Sequence, residues 1–154
     1  MHPTALRFQQ RAAQAGLDVS VEELAESTRT AVEAATAVGC ELGQIVKSVV
    51  LVDGKQRPIL CLCAGDRMVD LDRVGEGLAM ARGRQVKELT GYAIGGVPPL
   101  GHDRPLPTVV DSSLQRYDRV WCAAGTPRSL FGVALAELLA AMPGSELRDV
   151  TLDG

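Results

Sequence analysis

The chain has 154 residues, of which 46% are hydrophobic and 3% aromatic, and its 16 basic and 19 acidic side chains give a net charge of −3. This composition excludes a disordered chain and predicts one domain, residues 1–154, with a core of its own. The charge balance argues against sequence-independent binding to DNA, because such binding needs a basic surface. The sequence contains no apolar run of about 18 residues and no charged-then-apolar leader. We therefore expect a cytoplasmic protein that does not associate with membranes.

The first forty residues predict two helices. Residues 3–15 carry apolar side chains at helical spacing, and Gly16 follows them as a helix end. Thr30 and Glu33 form a capping-box pattern, in which each side chain satisfies a backbone amide that the first helical turn leaves free. The helix that they begin is expected to end at Gly39.

The next segment predicts a β-hairpin that contains one unusual residue. Residues 44–52 are rich in β-branched side chains, Asp53-Gly54 is a turn pair, and residues 57–64 are apolar again. Lys47 lies inside the first of these strands. One interpretation places it on an edge or a solvent-facing side, where its stem reaches water. The other points it into a cleft, and the spacing alone does not choose between them.

The four cysteines are predicted to be free thiols. Cys61 and Cys63 alternate in the second strand of the hairpin, so both face the same side of it. The two histidines, His2 and His102, do not make a zinc-binding spacing with this pair. A chain of this size and apolar content does not need disulfides. We therefore expect buried thiols that act as small hydrophobes, and no metal site.

The remaining elements follow from periodicity. Residues 70–82 predict a helix that Asp70 or Asp72 caps. Asp111 follows a strand and precedes a helical turn, so it is interpreted first as an N-cap, with a role in a site as the alternative. In chain order, the other predicted elements are a helical turn over 85–89, a strand over 108–110, a helical turn over 111–117, strands over 120–124 and 129–132, and a helix over 133–142.

Residues 90–102, TGYAIGGVPPLGH, predict a rigid loop. Four glycines and two adjacent prolines in thirteen residues exclude a regular helix or a central strand. Such a loop presents its remaining N–H groups outward and can hold a small anionic or polarised oxygen. Tyr92 is expected to pack beneath the loop. The alternative is a tight connection between two strands.

Three segments, in this order along the chain, resemble the YbaK/prolyl-tRNA synthetase-associated domain family: residues 44–50, residues 90–101 and residues 123–126. Members of this family are aminoacyl-tRNA deacylases, either free-standing proteins of the EbsC/YbaK type or the editing insertion of bacterial prolyl-tRNA synthetases. The similarity extends from Thr30 to Met142. It implies a mixed α/β (α+β) fold, in which a curved, barrel-like mixed β-sheet is surrounded by helices.

The resemblance also implies the functional residues. Lys47 corresponds to the family's functional lysine, whose ammonium holds the substrate and stabilises negative charge. Residues 95–99 correspond to the Gly-x-x-x-Pro loop, whose backbone positions the ester, so Gly95 and Gly96 join Lys47 as predicted catalytic residues. An apolar pocket lined by Val46, Ile94 and Val97 is expected. The predicted substrate-binding residues are Tyr92, Val97, Pro98, Pro99, Gly101, Asp111, Ala124 and Gly125.

The predicted function is trans-editing, the hydrolysis of the ester of a mischarged aminoacyl-tRNA. The expected substrate is tRNA(Pro) carrying a small non-cognate amino acid, bound through its 3′ acceptor end. The sequence lacks a Ser-His-Asp or Cys-His set, so water is expected to attack without a metal or cofactor. Prolyl-tRNA synthetase is a candidate partner. The alternative is a non-catalytic module of the same fold that binds aminoacyl-tRNA or a synthetase.

Overall fold

The computed structural model describes residues 1–28 and 30–153. The helices are α1 (Pro3–Gln14), α2 (Ala31–Val38), α3 (Leu71–Val74), α4 (Gly83–Thr90) and α5 (Leu135–Ala140). The strands are β1 (Val21–Glu23), β2 (Val46–Val52), β3 (Pro58–Ala64), β4 (Arg67–Val69), β5 (Ala79–Met80), β6 (Thr108–Asp111), β7 (Arg119–Ala123), β8 (Ser129–Ala134), β9 (Glu146–Arg148) and β10 (Thr151–Asp153). Two short 3₁₀ turns cover Leu42–Gln44 and Ser112–Arg116.

The strands form three hydrogen-bonded sheets. The central sheet has the order β5-β2-β3-β6-β9, in which β2 is antiparallel to β3 and β5, and β6 is parallel to β3 and β9. An antiparallel sheet of order β1-β8-β7 and the antiparallel pair β10-β4 complete the set. A single parallel bridge between Ile45 and Trp121 links the first two sheets. The fold is therefore a mixed α/β fold, but no closed barrel exists within residues 1–28 and 30–153, and the barrel-like detail is not confirmed.

Both faces of the β2–β3 hairpin are buried, which explains why β3 is apolar throughout. Leu60 and Leu62 belong to the largest apolar cluster, which also includes Phe8 and Phe131 from outside the hairpin. Cys61 faces the opposite side and packs in a second cluster with residues such as Leu51, Val74, Val109 and Val150. Alternate residues of one hairpin thus contribute to two cores.

The predicted early elements are confirmed. Helix α1 is followed by Gly16 at a φ of +86°, and α2 ends at Gly39 at a φ of +72°. The Thr30 hydroxyl accepts a hydrogen bond of 3.1 Å from the Glu33 amide, as a capping box requires. The hairpin joins β2 and β3 in the predicted order.

The helix predicted over residues 70–82 is wrong. Asp70 does cap a helix, accepting from the Asp72 amide at 3.2 Å, but α3 has a single turn. Gly75 and Gly77 follow that turn, and Gly77 has a φ of +66°, which ends helical geometry. The chain then forms β5, because pairing with the edge of β2 satisfies its backbone groups.

The last part of the chain differs from prediction in a similar way. Helix α5 begins at Leu135 rather than at residue 133, because β8 pairs with β7 as far as Ala134. Strands β9 and β10 were not predicted, since each has only three residues and depends on a partner strand far away in sequence. Helix α4 is longer than the predicted turn.

Among the described residues, none of the helices has the length and apolarity that crossing a membrane would require.

Candidate functional site

The predicted site segments meet at a cavity of about 270 Å³. Its wall combines the start of β2, the helix α2, the loop 91–102 and the facing ends of β7 and β8. Most of this wall is apolar, with a few hydroxyls and one ammonium. The lining residues are Thr28, Thr30, Ala31, Ala34, Ile45, Val46, Lys47, Ser48, Gly95, Val97, Ala123 and Leu130.

Lys47 lines this cavity from β2. Its Nζ donates a hydrogen bond to the backbone carbonyl of Arg67 in β4. An ammonium has three N–H donors, so two remain for other acceptors. Cys63 stands directly opposite Lys47 in the β2–β3 register. Burial raises the pKa of Cys63 to about 11 despite the nearby Lys47 charge, so this thiol is neutral at pH 7 and is not a nucleophile.

The loop 91–102 is held in place by side chains on its inner side. Tyr92 is fully buried, and its hydroxyl donates to the Gly101 carbonyl at 2.6 Å. The Arg11 guanidinium donates to the same carbonyl at 3.0 Å. His102 donates from Nε2 to the Pro98 carbonyl at 2.7 Å, which closes the proline turn. The prediction that Tyr92 packs beneath the loop is confirmed.

Two loop residues that line the cavity, Gly95 and Val97, have amides without an acceptor among the described residues. The Gly96 amide donates to the Ala93 carbonyl at 2.9 Å. The amides of Gly95 and Val97 have no hydrogen-bond acceptor in the part of the chain that the structure describes, and both residues line the cavity. The backbone donors that this part of the loop leaves available are therefore at positions 95 and 97, on either side of Gly96.

Gly96 instead joins the loop to the turn after β7. The Gly125 amide donates to the Gly96 carbonyl at 3.0 Å. A Cβ at position 96 would lie 2.7 Å from the Thr126 Cα, so only glycine permits this approach. Gly125 has a φ of +106°. We call this contact between residues 95–97 and 124–126 the glycine seam, and it explains why both segments carry glycines.

The other predicted site residues lie outside the cavity wall. Pro98 and Ala124 are buried and do not line it. Pro99 and Gly101 line a second cavity of about 440 Å³ on the other side of the loop, which contains neither Lys47 nor the free amides. Ile94 is 61% exposed and does not line the pocket, so its predicted place in the pocket is wrong, whereas Val46 and Val97 do line it.

Asp111 is fully buried and is the N-cap of the 3₁₀ turn that follows β6. Burial alone raises the pKa of a carboxyl group, but the hydrogen bonds from Ser113, Val150 and Thr151 outweigh it here and hold the pKa of Asp111 below its ordinary value. The N-cap prediction is confirmed. The structure does not bring this carboxylate to the cavity.

Much of the pocket wall was not predicted from the sequence. Ser48 lies two residues after Val46, on the same side of β2, so strand alternation was the signal that could have found it. Ala31 and Ala34 of α2 and Leu130 of β8 approach the cavity only in the folded chain. No pattern in the sequence marks them.

Comparison with known proteins shows the family to which the chain belongs. The family model described as the aminoacyl-tRNA editing domain matches residues 25–141, so the chain belongs to this family. A solved structure described as a candidate trans-editing enzyme for prolyl-tRNA synthetase is 46% identical, with a TM-score of 0.91 and 99% of each chain covered. The resemblance to YbaK-like proteins and the mixed α/β fold are thus confirmed.

Two curated bacterial proteins are also similar to the chain. The uncharacterized protein YwhH of Bacillus subtilis (strain 168) is 32% identical over 122 residues, which are 77% of this chain and 78% of YwhH. EbsC of Enterococcus faecalis (strain ATCC 700802 / V583) is named as a candidate Cys-tRNA(Pro)/Cys-tRNA(Cys) deacylase. It is 28% identical over 105 residues, which are 65% of this chain and 64% of EbsC.

Proposed function

We propose that this protein hydrolyses the ester of mischarged aminoacyl-tRNA in trans, acting as one editing domain. The observation that carries the proposal is the meeting of Lys47 with the free amides of Gly95 and Val97 at one small cavity. Ester hydrolysis passes through a tetrahedral oxyanion, and preorganised N–H donors stabilise that charge. The family membership supports the same reaction.

Each group has a defined task in this mechanism. The amides of Gly95 and Val97 donate to the oxygen that becomes the oxyanion. The two remaining N–H groups of the Lys47 ammonium hold the substrate and compensate the developing charge. Water is the nucleophile. The buried thiol of Cys63 is neutral at pH 7, and neither histidine lines the cavity.

The proposed substrate is tRNA(Pro) that carries a small non-cognate amino acid such as alanine or cysteine. A cavity of about 270 Å³ is slightly below the usual range for small-molecule sites, and its apolar wall favours a small side chain. Editing is needed because a synthetase pocket discriminates one methylene by only about 1–3 kcal/mol. With such a substrate, the protein acts in the cytoplasm, and prolyl-tRNA synthetase is the proposed partner.

The first test is deacylation of purified tRNAs charged with Ala, Cys, Ser, Thr or Pro. The wild type should release one small non-cognate amino acid rapidly and leave Pro-tRNA(Pro) intact. In Lys47→Ala the rate of hydrolysis should fall by about 10²-fold or more, the size of effect that loss of one preorganised donor produces. Each reaction is followed as loss of the aminoacyl ester over time.

Lys55→Ala is the matched control, because Lys55 is an exposed lysine in the turn between β2 and β3. Its rate should equal that of the wild type. If the wild type binds the charged tRNAs but hydrolyses none, the protein is a binding module of this fold instead. Equal hydrolysis by wild type and Lys47→Ala contradicts the proposed mechanism.

A further inference from the structure

The partner of the Lys47 ammonium belongs to a small separate sheet. Nζ donates to the backbone carbonyl of Arg67, the first residue of β4. Strand β4 pairs with β10 and not with the central sheet, in the register Arg67↔Asp153. The position of the carbonyl that holds Lys47 therefore depends both on the two-residue connection from β3 and on how β10 is fixed.

The side chain of Arg67 ties β4 to β10. Its Nε donates to the Thr151 hydroxyl oxygen at 3.0 Å, and its guanidinium also contacts the carboxylate of Asp153. Thr151 is 1% exposed. Its hydroxyl donates in turn to Oδ2 of Asp111 at 2.9 Å. One hydroxyl thus accepts from Arg67 and donates to Asp111.

Asp111 anchors this series of hydrogen bonds to the central sheet. It is the last residue of β6, and its Oδ1 accepts from the Val150 amide at 2.8 Å. Its Oδ2 accepts from the amide of Ser113 at 3.1 Å and also from the Ser113 hydroxyl. A buried carboxylate that accepts four hydrogen bonds keeps a fixed geometry. Three hydrogen bonds in series then connect it to the cavity: Asp111–Thr151, Thr151–Arg67 and Arg67–Lys47.

We propose that Asp111 and Thr151 are positioning residues for the deacylation reaction: they fix Arg67, and the Arg67 carbonyl fixes the Lys47 ammonium at the cavity. The inference rests on the proposed function, because it assigns the ammonium to the bound ester. It also gives Asp111 a role in the site that needs no contact with substrate. An apolar residue of the same shape at position 151 keeps the packing of β10 but breaks the series of hydrogen bonds between Asp111 and Lys47.

The test compares Thr151→Val with Thr151→Ser. Valine removes the hydroxyl at nearly constant volume, and kcat should fall about 10-fold or more, because a displacement of the order of 1 Å at a reacting group is costly. KM should change less than kcat. Serine restores the hydroxyl and should return kcat to within 2-fold of wild type. Thr108→Val is the matched control, since it deletes another strand threonine's hydroxyl bond, to the Leu106 carbonyl, and its kcat should not change.

A second readout does not use tRNA. In ¹⁵N NMR spectra, the protons of a hydrogen-bonded ammonium exchange slowly enough to be observed, and the Lys47 signal is assigned by its absence in Lys47→Ala. This signal should be present in the wild type, Thr151→Ser and Thr108→Val, and lost in Thr151→Val. If Thr151→Val does not fold by circular dichroism, Arg67→Met breaks the series from a more exposed position and keeps the main-chain carbonyl.

The outcomes separate the two proposals. Loss of the Lys47 signal in Thr151→Val, with no hydrolysis by the wild type, supports the positioning network and refutes the deacylase function. A signal and a kcat that both persist in Thr151→Val overturn the positioning proposal. A kcat that falls equally in Thr151→Ser and Thr151→Val overturns it as well, because the effect is then one of packing and not of the hydroxyl.

Discussion

At the scale of single residues, His102 shows how the loop 91–102 is closed. Its imidazole is largely enclosed, and burial holds the pKa of His102 below its ordinary value. The hydrogen bond to the Pro98 carbonyl and the charge of Asp103 act in the opposite direction, whereas the charge of Arg11 adds to the effect of burial. The neutral imidazole is therefore the form that closes the loop.

This pKa predicts a pH dependence of stability. The unfolded state takes up a proton on His102 near pH 6.5, while the folded state resists it. The contribution of neutral His102 is thus fully present above about pH 6.5 and is lost as the pH falls from there towards the folded pKa. The free energy of unfolding in urea should decrease more between pH 7.5 and 5.5 for the wild type than for His102→Gln. Glutamine keeps a donor for Pro98 and does not titrate, so identical decreases would contradict the prediction.

At the scale of elements, the sequence predicts structure where a local pattern decides it. The Thr30 cap, Gly39 and the Asp53-Gly54 turn each act within a few residues, and α2 and the β2–β3 hairpin were predicted correctly. The helix predicted over residues 70–82 is wrong because the periodicity of the stretch fits a helix, whereas the edge of β2 offers backbone partners to Ala79–Met80. Strands β9 and β10 carry no local signal because distant pairing alone defines them.

The same distinction applies to the candidate site. Lys47 and the glycine-proline loop are visible in the sequence, because a lysine among β-branched residues and a dense run of Gly and Pro are unusual. The sequence does not show in which direction each side chain of the loop points. Gly95 has a φ of +86°, and Ile94 before it points to solvent while Val97 after it lines the cavity. Such a reversal depends on a backbone angle that no periodicity encodes.

The glycine seam gives a prediction at this scale. In Gly96→Ala, the new methyl would lie within 3.0 Å of the backbone of Gly125 and Thr126, and backbone atoms cannot move aside as a flexible side chain can. The free energy of unfolding should fall by about 1–3 kcal/mol, the usual cost of overpacking. The rate of deacylation should fall as well, because the amides of Gly95 and Val97 move with the loop. Urea unfolding and the ester assay measure the two effects.

Gly144→Ala is the control for this substitution, since a Cβ there meets no atom within 4 Å and its φ is not in the left-handed region. Its stability should be unchanged or slightly increased. A Gly96→Ala variant as stable and active as Gly144→Ala would show that the seam tolerates a side chain.

At the scale of the whole molecule, burial protects three of the four thiols, and two of these lie in the cores on either side of the hairpin. Cys61, Cys63 and Cys122 are buried, whereas Cys40 is partly exposed, and all four are free. Burial raises the pKa of Cys61 to about 12, and that of Cys122 is raised further by complete burial. These thiols lack both access and thiolate character.

The reactivity of the thiols therefore reports the integrity of the fold. Partial burial also raises the pKa of Cys40, but this thiol is accessible. With an aromatic disulfide reagent at pH 8, one thiol per native chain should therefore react well before the other three, and Cys40→Ala should abolish this phase. All four should react in concentrated urea. Rapid reaction of two or more thiols per native chain would mean that one of the cores is open to the reagent.

The glycine seam also limits how this domain can be recombined. The loop and the turn after β7 meet backbone to backbone through the Gly125–Gly96 hydrogen bond, although they lie about thirty residues apart in the chain. A chimera that takes the loop from a relative but keeps the native turn would combine two segments whose backbones do not match at this contact. The smallest exchangeable unit is therefore discontinuous, and a designer who wants to transplant this loop between related proteins has to move residues 90–102 and 123–128 together.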